Sequence, residues 1–261
     1  MRMGNPALRR IMKKSDGGAY GVESEAATYK GVYLKAGLYG FLTIAAAMIV
    51  ELILFKVLYT GDAEQIAGAF ATVGIALTAS IVPMLIIALV IAFVPSTVKV
   101  LGCVYALLQG AMLGITALFV DLVYPGIAFA AFLGTMFVFV ISLVVNGVFK
   151  VRISSKFIRG MIVTFVSIAL VQLVMWVLSL FGIFDYRTYN IIMLAASALC
   201  IIWATAMLFI DLNNIDYIVA TGADKKYEWI VAFSLVTTLI YLYMEILEIL
   251  VRIASLFSKN N

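Results

Sequence analysis

A chain of 261 residues that is 65% hydrophobic and only 12% charged is not a soluble domain, in which about a quarter of the residues are normally charged. Its mean hydropathy of +1.13 calls for a bilayer, and its net charge of +4 needs no nucleic-acid partner, because a basic rim facing anionic lipid accounts for it. With no histidine and two cysteines, Cys103 and Cys200, lacking zinc-type spacing, a metal or redox centre is not expected, and proton sensing near neutral pH has to rest on carboxylates.

The chain opens on a basic arm, residues 1–35, beginning "MRMGNPALRRIMKKSDGG". The first apolar run starts only near residue 36 and is too long for a signal h-region, so no cleavable signal peptide is expected. Apolar runs follow at 36–59, 66–94, 99–120, 125–149, 158–182, 189–211 and 228–256. Each has the roughly twenty residues a helix needs to cross hydrocarbon. Backbone groups in lipid must bond within their own segment, so each run is expected to be a helix. A transmembrane β-barrel would instead show alternating segments of about ten residues. The expected organisation is a cytosolic arm over 1–35, one seven-helix membrane domain over 36–256 and a short tail over 257–261.

An N-terminus inside places all of the Lys and Arg residues on the cytosolic side except Lys56, Arg187, Arg252 and Lys259. That asymmetry is a strong positive-inside signal. Tyr59, Tyr124, Tyr186, Tyr189, Tyr217 and Tyr227, with Trp229 beside the last, fall where belts of interfacial aromatics are expected.

Polar residues inside the spans carry the functional information. Glu51 lies toward the outer end of the first span, within reach of the interface or of Lys56. Gln109, Asn146 and Gln172 are each explained by a bond across a helix contact. Asp211 closes the sixth run, in "FIDLNNIDYI" (209–218), with Asn213, Asn214 and Asp216 behind it. In the seventh, Glu245 sits near mid-membrane, where a carboxylate costs roughly 2.5–3.5 kcal/mol on insertion scales. Glu248 and Arg252 are spaced for an i,i+4 ion pair near the outer rim.

The segments "LFIDLNNID" (208–216) and "IYLYMEILEIL" (240–250), supported by "VYALLQGAMLG" (104–114), "YPG" (124–126) and the "NPALRR" arm, resemble the bacterial Bax inhibitor-1 family. The resemblance implies an all-α membrane protein in which six helices surround a central seventh. It also implies a pH-sensitive calcium leak whose proton sensor is a carboxylate pair, falling here on Asp211 and Glu245. Calcium is then the permeant ion, met at these two carboxylates, and no cofactor is implied. Asn213, Asn214, Asp216, Gln109 and Glu248 are supporting polar candidates. The expected partners are the lipid bilayer, calcium or other cations, and protons, and the expected location is a bacterial cell membrane. Two departures stand out. Many related sequences carry glutamate where Gln109 stands. The locking arginine of some members is absent, Lys99 being the nearest cation, and an ammonium does not reproduce a guanidinium's two-pronged contact.

Two carboxylates about 4 Å apart at an effective dielectric of about 20 repel by about 4 kcal/mol when both are ionised, so such a pair is expected to share a proton. Calcium suits the ionised pair because it prefers hard oxygen ligands, with carbonyls of Asn213 and Asn214 in reach. A proton-coupled transporter would use the same carboxylates as a relay, but no inverted repeat or paired broken helices are evident. A non-conducting regulatory or scaffold protein would hold them as structural groups. An enzyme is not expected. The charge asymmetry makes one outcome checkable: cysteine labels at residues 10 and 260 should report opposite sides of the membrane, and labelling from the same side would remove a span.

Overall fold

The computed structural model describes residues 25–149, 154–182 and 185–258. Seven long helices follow one another: α1 Tyr29–Thr60, α2 Ala63–Phe93, α3 Val98–Val123, α4 Ile127–Phe149, α5 Ser155–Leu180, α6 Tyr186–Ala220 and α7 Tyr227–Ser258. A 3-10 turn, Pro95–Thr97, leads into α3. No strand occurs among the described residues, which hold one isolated bridge between Ala26 and Asp224. All seven helices are long and apolar enough to cross a bilayer, as the composition requires. The basic arm up to residue 24, Lys150, Arg152, Lys259 and the side chain of Tyr186 lie outside the described residues.

Several helix ends lie beyond the apolar runs, while α4 begins two residues inside its run and α5 ends two residues inside its own. The helix expected from residue 36 begins at Tyr29, capped by the Thr28 hydroxyl, which accepts from the Gly31 amide at 3.0 Å. The helix expected to end at 211 continues to Ala220. An apolar run marks the thickness of hydrocarbon, whereas a helix can continue into the polar interface, where water and charged side chains meet its last turns.

The described residues fall into two compact units, 124–214 with 237–258, and 25–123 with 215–236. Helices α6 and α7 therefore contribute residues to both.

In the unit that contains α1 to α3, α1 and α3 meet almost backbone to backbone. Buried Gly102, Ala106, Gly110 and Gly114 form a small-residue stripe along α3, the pattern that lets membrane helices approach closely. A Cβ on Gly110 or Gly114 would overlap the carbonyl oxygen of Thr43 or Ala47, and one on Gly102 would press on the Tyr39 ring. The Tyr39 hydroxyl donates to the Val98 carbonyl at 2.8 Å, and its ring stands edge-on to Trp229 and Phe233.

The other unit is held by an aromatic cluster. Phe165 stacks on Trp203 with centroids 4.2 Å apart, and both stand edge-on to Tyr241. The Trp203 indole donates to the Met161 carbonyl at 3.0 Å.

Large apolar side chains are exposed, among them Phe41 at 68% and Phe137 at 68%. Such surface would drive association in water, whereas hydrocarbon solvates it. The hydroxyls of Thr43, Thr72, Thr116, Thr135 and Thr205 each donate to the carbonyl four residues earlier, which satisfies them where no water is present.

Gly110→Ala should lower stability by about 1–3 kcal/mol, the usual range for overpacking. Gly74→Ala, where an added Cβ meets nothing within 4 Å, should be neutral or mildly stabilising. Thermal unfolding of both variants in detergent reads the difference, and equal midpoints would remove the close α1–α3 contact.

Candidate functional site

Helices α6 and α7 bring two buried carboxyl groups into one unit. Asp211 is 1% exposed and Glu245 8% exposed. The sequence alone places Asp211 at the inner edge of its span. In the structure it lies nine residues before the end of α6, about 13 Å inside the helix terminus. Its carboxylate accepts from the Thr238 hydroxyl of α7 at 2.6 Å. Two turns further along α7, the Glu245 carboxyl has the Tyr241 hydroxyl and the Cys200 thiol as polar neighbours. Its Oε2 is buried with no hydrogen-bond partner.

Thr238 and Glu245 are seven residues apart, about 10 Å along the axis. The carboxyl groups are therefore met at different levels of α7, each with neutral polar groups of its own. Thr238, Tyr241 and Cys200 are not evident as site residues from the sequence: two look like ordinary membrane-helix residues, and the cysteine reads as a small apolar one. Only the helix register makes them neighbours of the carboxyls.

The supporting candidates scatter. Asn213 donates to the Phe209 carbonyl at 2.8 Å and to Asn146 Oδ1 at 3.4 Å, so Asn146 does bond across a helix contact as expected. Gln172 likewise reaches the Cys200 sulfur at 3.9 Å. Asn214 is buried in the same unit. Asp216 belongs to the other unit, where it accepts from the Tyr29 hydroxyl at 3.0 Å, and half-buried Gln109 of α3 belongs there too. Glu248 is engaged by Arg252, whose Nε donates at 2.9 Å and Nη2 at 2.5 Å. Arg252 also donates from Nη1 to Asn190 at 3.1 Å and lies over the Tyr189 ring. The expected i,i+4 pair is thus formed and extended into a small network. Glu51, half-buried, forms no ion pair with Lys56.

Among the described residues no three His, Cys, Asp or Glu side chains converge to hold a metal ion. Calcium takes six to eight oxygen ligands when held tightly.

A third buried carboxylate escapes the sequence reading. Glu228, in the first turn of α7, is 0% exposed. It accepts from the Thr28 amide at 2.8 Å, from the Thr28 hydroxyl at 3.3 Å and from the Lys35 ammonium. Gly31 makes room for it, since a Cβ there would overlap the carboxylate. Tyr227 is 2% exposed, so it is a core residue rather than the interfacial anchor expected from its position.

A protein-family model described as Bax inhibitor 1 like matches residues 5–255. No match is found among curated proteins or among solved structures.

Thr238→Val removes the hydroxyl that meets Asp211 while keeping the shape. It should lower stability by about 1–3 kcal/mol, the cost of leaving a buried polar group without its partner. Thr238→Ser should recover most of that loss. Unfolding midpoints in detergent distinguish the two, and equal stability of Thr238→Val and wild type would mean that the bond carries no weight.

Proposed function

The chain belongs to the Bax inhibitor 1 like family, and from that premise we propose that it forms a pH-sensitive leak for calcium or related cations, with Asp211 and Glu245 as its protonatable element. The observation that carries this reading is the Glu245 carboxyl: deep in an apolar helix pair, with Oε2 buried and unmet by any hydrogen-bond donor. An ionised carboxylate oxygen without a donor is costly in a medium that cannot solvate it. Loss of the proton from Glu245 must therefore bring something to Oε2: water, a cation or a rearranged side chain. Any of the three changes the packing between α6 and α7.

Asp211 belongs to the same element because its carboxylate is fastened to the same helix through Thr238. At a register of two turns, repulsion between the ionised groups is smaller than the roughly 4 kcal/mol of a pair 4 Å apart. Each group then acts mainly through its own neighbours on α7, and the two are coupled through that helix. Protonated, they hydrogen-bond and hold α6 to α7. Ionised, they are oxygen ligands that a passing divalent cation can use. Orientation follows from the charge asymmetry, with the N-terminus on the cytosolic side.

The test is flux from liposomes loaded with a calcium dye and containing the purified full-length chain, over about pH 5 to 8, the range in which a physiological switch must act. Wild type should show a pH-dependent leak. Glu245→Gln and Asp211→Asn should each flatten the pH profile, and the double variant should lose less than the sum of the two, because both act on one helix. Glu51→Gln should leave the profile unchanged. Unaltered profiles in both single variants would sink the sensor assignment. No flux from folded, correctly inserted wild type would favour a non-conducting regulatory role.

A further inference from the structure

In the unit of Asp211 and Glu245, one cation is held by acceptors drawn from two helices. The Arg252 guanidinium of α7 donates to Glu248 Oε1 from Nε at 2.9 Å and from Nη2 at 2.5 Å. It donates from Nη1 to Asn190 Oδ1 at 3.1 Å, and its carbon lies 5.9 Å from the centroid of the Tyr189 ring. Asn190 and Tyr189 stand at the start of α6. The Arg252 side chain is 15% exposed and that of Glu248 38%. The guanidinium is therefore enclosed, while solvent reaches the carboxylate that holds it.

A carboxylate, an amide carbonyl oxygen and an aromatic face are groups that recognise a cation, whether or not the cation is attached to the chain. An i,i+4 pair between Glu248 and Arg252 needs neither Asn190 nor Tyr189. Their convergence from a second helix turns the pair into a site. Asp185, the nearby acid before α6, is engaged elsewhere: it accepts from the Arg187 and Thr188 amides, each at 3.2 Å. Glu245 precedes Arg252 by seven residues, two turns or about 10 Å along the same face of α7. The site thus stands in line with the Glu245 carboxyl.

We propose that Glu248, Asn190 and the Tyr189 ring form a cation site which the chain fills with its own Arg252, so that a cation from solution enters only by displacing the guanidinium. The ligand class is a small organic cation with the planar fork of a guanidinium. A lysine fills such a site poorly, because a point charge does not reproduce the two-pronged contact. One consequence rests on the leak proposed above: Arg252 is then a tethered block at the non-cytosolic end of the path to Glu245, and a calcium ion in passage competes for the same oxygens.

The site is read first without any flux. Purified full-length Arg252→Ala is melted in detergent with and without millimolar methylguanidinium. Removing the guanidinium leaves enclosed acceptors unmet, so the midpoint should fall below that of wild type. Methylguanidinium should raise it by about 2–4 °C and leave wild type, whose site is filled, unchanged. Arg252→Ala combined with Glu248→Gln should show no rise. If Arg252→Ala yields little folded protein, Arg252→Leu, which keeps part of the apolar stem, is melted in its place with the same expectation. The second reading is calcium flux from dye-loaded liposomes at one pH. Arg252→Ala should leak several-fold faster than wild type, and methylguanidinium should slow the variant alone. The site is overturned if methylguanidinium moves neither Arg252 variant, or moves the variant that also lacks the Glu248 carboxylate equally. A midpoint response with no flux in wild type sinks the leak and leaves the site standing; flux without the response does the reverse.

Discussion

Hydrocarbon offers no hydrogen bonds, and most of what is specific in this structure follows from that. A backbone crossing it must be helical, and a side chain carrying a donor or acceptor must find its partner within the protein. Threonines meet this demand locally, by donating to the carbonyl one turn back. Longer polar groups meet it across helices: Trp203 at the Met161 carbonyl, Tyr39 at the Val98 carbonyl and Arg252 at Asn190. Where a buried group stays unmet, as at Glu245 Oε2 and the Tyr227 hydroxyl, the departure is informative because it is costly.

Helix α7 concentrates these groups. Glu228, Thr238, Tyr241, Glu245, Glu248 and Arg252 all lie on it, and 44% of its apolar window is buried, against 6% for α1 and α2. The correlation has a simple cause. A helix facing lipid on most sides can carry few polar side chains, whereas a helix enclosed by protein can carry many, because each can be given a partner.

The two units use buried charge in different ways. Glu228 is fully engaged by Lys35 and the Thr28 cap, so it fastens the segment before α1 to the start of α7. Removing one partner of such a pair leaves an uncompensated charge and is strongly destabilising. Asp211 accepts from the Thr238 hydroxyl, and Glu245 has a hydroxyl and a thiol as neighbours, groups that suit either protonation state. A salt-bridged carboxylate has one preferred state, while one held by neutral donors can change state with a smaller rearrangement. Membership of the Bax inhibitor 1 like family agrees with a membrane role for the second arrangement, and the cation leak is our reading of its chemistry.

Seven membrane helices are dictated by the sequence alone, because hydrophobic length and charge spacing are one-dimensional quantities and the bilayer reads them directly. The segments around Asp211 and Glu245 are also legible there, since an ionisable residue inside an apolar run is conspicuous without any fold. Helix ends were less so: Tyr29 and Ala220 lie beyond the apolar runs, where interface chemistry and not hydrocarbon thickness sets the limit. The partners were not legible at all. That Thr238 meets Asp211, that Cys200 meets Glu245 and that Gly31 clears space for Glu228 depends on the register between helices. Register is fixed by the packing of whole faces, such as the glycine stripe of α3 against α1, and no single residue announces it. The sequence therefore determined which groups are buried in the bilayer, and the tertiary structure alone decided what each of them touches.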